Sequence, residues 1–170
     1  MVYRKYRRPL GRSRYILSKR SKYSVEQKSF TASYDSTAIN GLFQSRVELV
    51  PAVAIQGMRK IKHVTLNMTQ LNELSAEGDY AVNPIYWAIV YVPQGTVIGA
   101  LNLNNSLYEP NQYVMNCGIV DPSAGPIRFS SPVSRNLNSG DAIYLVLGNY
   151  GTSAANTLVQ GVVKYAITLN

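Results

Sequence analysis

The chain has 170 residues, enough for one domain that buries its own core without disulfides or metals. Hydrophobic residues make up 46% and charged residues only 15%, below the roughly 25% usual in soluble domains, so much of the surface is expected to be hidden against other subunits. One cysteine excludes an intramolecular disulfide, one histidine leaves too few soft ligands for structural zinc, and a formal net charge of +8 calls for an acidic partner.

That charge is segregated. Residues 1–28 hold ten cations against the single acid Glu26, a net +9, while the rest of the chain holds seven against eight, a net −1. The opening stretch MVYRKYRRPLGRSRYILSKRSKY is therefore a basic module, residues 1–24, in front of a nearly neutral body, residues 25–170. Phosphate backbones attract Lys and Arg through counterion release, which needs charge density rather than a fold. Arg4, Lys5, Arg7, Arg8, Arg12, Arg14, Lys19, Arg20 and Lys22 supply the density, and Tyr3, Tyr6 and Tyr15, with Tyr23, stand among them. Aromatic rings stack on unpaired bases at roughly 1–3 kcal/mol per base, so the combination favours single-stranded nucleic acid. Pro9 and Gly11 interrupt any helix and like charges repel, so the free arm is expected to be disordered and to order on binding. RKYRR and SKRSK also fit a nuclear localisation signal read by an import receptor; a merely solvated tail is the bland alternative.

The start lacks the apolar core of a secretory leader, since YIL is followed at once by SKRSK, and the longest apolar run, IYWAIVYV, is far short of the roughly 20 residues that span a bilayer. A soluble intracellular protein without membrane contact is expected.

From about residue 25 the pattern becomes short segments rich in Val, Ile, Tyr and Thr between clusters of Gly, Pro, Asn and Ser, which is how strands and turns read. Strands are predicted over 25–34, 45–50, 58–69, 84–92, 97–101, 112–119, 126–130, 141–149 and 157–169. TQLNELSAE at 69–77 is the best candidate for a short helix. IYWAIVYV and AIYLVL are apolar on both faces and need cover on both, whereas RKIKHVTLNM alternates polar residues with Ile61, Val64, Leu66 and Met68. Eight or nine unevenly spaced strands predict an all-β, antiparallel, eight-stranded jelly-roll sandwich behind the disordered basic arm. An immunoglobulin-like sandwich is the rival, though its Cys-Trp-Cys arrangement cannot be built from one cysteine.

Candidates for other chemistry are weak. Cys117, in YVMNCGIV, reads as a small buried strand residue, and His63 shares a face with Ile61 or points outward with the lysines, depending on register. Glu73, Glu77 and Asp79 cluster in NELSAEGDY without the spacing of a calcium loop. Asn67-Met68-Thr69 and Asn104-Asn105-Ser106 match the glycosylation pattern, idle without a secretory route. No phosphate-cradling or common hydrolase motif occurs, so neither an enzyme nor a metal or cofactor is expected.

The arm RKYRRPLGRSR, the basic strand GMRKIKHVTLNM, the strand YWAIVYVPQG and the closing pair SGDAIYLVLGNY and VVKYAITLN together resemble the capsid proteins of small viruses, especially those with circular single-stranded DNA genomes such as nanoviruses and circoviruses. The resemblance implies a homo-oligomeric T=1 icosahedral shell of about sixty copies, arms inward on the genome, found in the virion and, during assembly, in the host nucleus. In this reading Arg59, Lys60 and Lys62 are candidates to extend the inner basic surface, the alternative being ordinary solvated alternation on an exposed face. The RNA-packaging capsid proteins of satellite viruses share this arrangement. Two further classes compete: a ribosomal-type host protein, which normally carries basic residues across its body, and a cupin or lectin, of which the former needs several histidines and the latter leaves the arm unexplained.

Overall fold

The computed structural model describes residues 22–34, 43–72, 84–96, 113–122, 125–132, 134–149 and 157–169. These residues form nine strands: β1 (Ser24–Ser33), β2 (Phe43–Val50), β3 (Arg59–Asn72), β4 (Ile85–Val92), β5 (Val114–Val120), β6 (Ile127–Ser131), β7 (Arg135–Leu137), β8 (Ala142–Asn149) and β9 (Thr157–Leu169).

The pairing is nested. β1 pairs with β9, β2 with β8, β3 with β6 and β7, and β4 with β5, every ladder antiparallel, as in one long hairpin. Two more ladders, β3 on β9 and β4 on β8, roll that hairpin into facing sheets ordered β1-β9-β3-β6 and β2-β8-β4-β5. β7 and β6 lie end to end along β3, against Arg59–Ile61 and Val64–Met68, and part at Pro132, which has no N–H for the ladder. They act as one interrupted strand. The result is the predicted eight-stranded antiparallel jelly roll, an architecture that viral capsid domains share with lectins and cupins.

Strand alternation builds the core between the sheets. Ile61, Val64, Leu66 and Met68 of β3 meet Ile85, Trp87 and Ile89 of β4 and Ile143, Leu145 and Leu147 of β8, all at most 7% exposed. Burying each such side chain stabilises the fold by about 1.5–3 kcal/mol. The Trp87 ring stacks on Phe129 of the opposite sheet, centroids 3.9 Å apart, and so bolts β4 to β6. Gly118, opposite Trp87 on β5, makes room for the indole; a Cβ there would lie 3.1 Å from it. Gly161 of β9 is tighter, since a Cβ would sit 2.6 Å from the Phe30 ring and 2.7 Å from the Asn67 carbonyl oxygen.

Ile61 and Val64 both face the core, an odd separation that an unbroken strand cannot give. The register against β9 steps from Lys62 opposite Ala166 to Thr65 opposite Lys164, so His63 and Val64 share one partner in a β-bulge. His63 absorbs the extra residue at a left-handed φ of 53° and points to solvent, which settles the side left open by the sequence.

Three sequence expectations need correction or fall outside. Thr69–Asn72, expected to start a helix, continue β3 because they complete its ladder with Thr157–Gln160; residues 73–77 lie outside the described residues. Cys117 lies on the expected strand but is exposed: Gly118 must face Trp87, and alternation then turns Cys117 outward. The strand expected over 97–101 lies outside the described residues.

Loops 51–58, 93–96 and 138–141 gather at the end of the sandwich where β1 begins, and Asp141 ties them. Its carboxylate accepts from the Tyr91 hydroxyl at 2.7 Å, the Asn138 N–H at 2.7 Å and the Gln94 N–H at 3.1 Å. The Arg59 guanidinium donates to the carbonyl oxygens of Asp141 and Pro51, both at 2.9 Å. Burial pushes the Asp141 carboxyl up, but these donors and the Arg59 charge outweigh it and hold the group below its ordinary value.

Candidate nucleic-acid interface

The face of the β1-β9-β3-β6 sheet turned away from the core is set by the same alternation that buries Ile61, Val64 and Val163. Across it, Lys60 stands opposite Thr168, Lys62 opposite Ala166, Lys164 opposite Thr65, and Arg128 opposite Asn67. Six residues of β9 separate the first row from the last, so the cations occupy a strip about 20 Å long and two strand spacings, about 10 Å, wide. Among the described residues no carboxylate shares it. The four described acids lie elsewhere: Glu26 turns to the Tyr165 hydroxyl, Glu48 to the Tyr144 hydroxyl, Asp141 is buried, and Asp121 follows β5. Four like charges together repel one another, a cost that a polyanion relieves.

The arm enters on this face. Tyr23, directly before β1, lies beneath the Lys62 ammonium, which stands 4.1 Å from its ring centroid. Since β9 separates β1 from β3, Lys62 reaches across the row of Ala166 to make the contact. The ring's quadrupole attracts the ammonium and so ties the start of β1 to β3. The hydrogen bond from Lys62, followed by the charges of Lys62, Lys60 and Lys22, lowers the Tyr23 phenol below its ordinary value, a local sign of positive potential.

Of the residues singled out in the sequence, Tyr3, Arg4, Lys5, Tyr6, Arg7, Arg8, Arg12, Arg14, Tyr15, Lys19 and Arg20 lie outside the described residues. Lys22 is exposed at the start of β1, and Lys60 and Lys62 lie half-buried on the basic face. Arg59 departs from the expected surface role: it is 4% exposed and committed to Pro51 and Asp141, because alternation along β3 turns it to the same side as Ile61. Arg128 and Lys164 belong to the face and were missed. Each is a lone cation between apolar residues, in IRF and VKY, and only the strand order makes them neighbours of Lys60 and Lys62.

The remaining chemistry is sparse. Among the described residues no three His, Cys, Asp or Glu side chains come together as a metal site, and the Glu73, Glu77 and Asp79 cluster lies outside them. No described helix is long and apolar enough to cross a membrane.

No family model matches the chain, and no curated protein does. Among solved structures it is similar to a chain from Desmodium yellow mottle tymovirus, at 13% identity and a TM-score of 0.35, over 87% of this chain and 83% of that one. It is also similar to a chain described as "CBM4 structure and function", at 10% identity and a TM-score of 0.26, over 84% and 94%. Both likenesses are loose, and the functional reading rests on the interface itself.

Proposed function

We propose that this is the capsid protein of a small virus, a jelly roll that self-assembles into an icosahedral shell of about sixty copies and packages single-stranded DNA. The observation that carries the reading is the meeting of arm and sheet: the +9 segment enters the fold at Tyr23, under Lys62, on a strip of four cations without a described acid. A tail that served only as a localisation signal needs no such continuation on the body. The shell reading is further supported by the body's near-neutral charge, which suits extensive protein contacts depleted in charge. Strip and arm then face inward as one lining, and the opposite sheet and the loops meet other copies.

The test is size-exclusion chromatography of the full-length protein, read at 260 and 280 nm, with nuclease digestion of the peak before and after disassembly. The expected result is a megadalton species with protected nucleic acid that becomes sensitive to DNase on disassembly. Sensitivity to RNase alone would transfer the reading to an RNA-packaging shell. A small, nucleic-acid-free oligomer would overturn it.

A further inference from the structure

Between the start of β1, the end of β9 and the 51–55 segment lies a cleft of about 620 Å³, within the roughly 300–1,000 Å³ of small-ligand sites. We propose that it receives one unstacked nucleobase bearing an exocyclic amino group, from the strand held by the arm where that strand turns round the β1 edge from the basic face to the core side; the assignment rests on the function proposed above. Val53, Ile55 and Ile167 give the cleft apolar walls suited to the faces of a base, and Val53, 37% exposed, stands open to an incoming ring. Lys22, where the arm joins the body, lines the same cleft, so a strand following the arm passes it. Arg59 forms another part of the wall, with its Nε–H lacking an acceptor among the described residues.

The deciding residue is Glu26. A carboxylate beside the path of a polyanion opposes binding unless it accepts a hydrogen bond from the ligand. The Tyr165 hydroxyl donates to Glu26 Oε2 at 2.6 Å and so orients the carboxylate, which is exposed at the cleft. An oriented acceptor beside the apolar walls matches the N–H₂ of cytosine or adenine; thymine presents O4 at that edge and places oxygen against oxygen. The cleft therefore discriminates amino-bearing bases from thymine, a selectivity that the arm and strip lack.

The experiment uses full-length protein stripped of nucleic acid and fluorescence anisotropy with (dC), (dA) and (dT) oligonucleotides of about 12 nucleotides. The wild type binds (dC) and (dA) at least about fivefold more tightly than (dT). Glu26→Gln keeps an acceptor for Tyr165 but offers thymine a donor, and brings the ratio under about twofold. Val53→Trp, on an exposed segment, fills the mouth and does the same. Charge effects common to all three strands cancel in the ratio. Equal binding of all strands by the wild type, or ratios unchanged in both variants, overturns the cleft assignment and leaves the packaging reading intact. Failure to bind any strand overturns both.

Discussion

Lys62 holds its ammonium 4.1 Å from the centre of the Tyr23 ring, joining the third strand of the sandwich to the residue that precedes the first. The contact fixes where the arm leaves the body. It is also a reporter, because the Tyr23 phenol is lowered by Lys62 first and by its basic neighbours after it.

Replacing Lys62 by alanine removes the largest cause of that lowering. The Tyr23 resonance in ring-labelled protein should then titrate nearer the ordinary value of about 10. Bound single-stranded DNA, by screening the same cations, should raise it also. A Tyr23 titration identical in wild type and Lys62→Ala would dissociate the ring from the strip.

Neutralising the strip should be visible in the salt dependence of binding. Each phosphate contact on single-stranded nucleic acid contributes about 0.7 to the slope of log K against log salt. Lys60, Lys62, Arg128 and Lys164 changed together to glutamine should lower the slope by up to about 3. A decrease under about 0.7 would leave the arm as the whole interface.

Asp141→Asn should cost about 2–3 kcal/mol in denaturant unfolding, because the carboxylate accepts three hydrogen bonds that an amide serves less well. The sign with pH follows from the lowered carboxyl. Its contribution is present above the unfolded value of about 3.9 and is lost as pH falls through the folded one. Wild-type stability should therefore drop below about pH 4, and the asparagine variant should show a shallower drop. Parallel acid profiles of the two proteins would count against the tie.

Gly161→Ala should destabilise by about 1–3 kcal/mol, since the added methyl meets both the Phe30 ring and the Asn67 carbonyl. Adding Phe30→Leu should return only part of that loss, because the backbone oxygen stays 2.7 Å away. Gly118→Ala, facing only the Trp87 indole at 3.1 Å, should cost less. The order of the melting temperatures checks all three statements.

Much of this was legible in the residues. Ile61, Val64, Leu66 and Met68 announced the buried face of β3, and their odd spacing already contained the bulge, although nothing local says that His63 would absorb it. The helix expected over 69–77 gives way at Thr69–Asn72 because these residues answer to ladder partners almost ninety residues away. Cys117 was misplaced because a one-residue choice of register, imposed by Trp87 on Gly118, decides its side. The arm was visible by charge alone, whereas Arg128 and Lys164 acquire meaning only once β6, β3 and β9 lie side by side. Arg59 looked like its lysine neighbours because composition does not tell which cation a strand turns inward.

The nested pairing also governs the order in which the protein can come into being. Ser24 hydrogen-bonds to the carbonyl of Ile167, 143 residues later, and β9 is the strand that joins β1 to β3. On the ribosome the first sheet thus has no centre until its last strand emerges, and contacts of such sequence separation fold slowly. The edge that carries the arm cannot be fastened before β9 is made, so the basic segment waits for a strand more than a hundred residues further along the chain before it is presented on a folded surface.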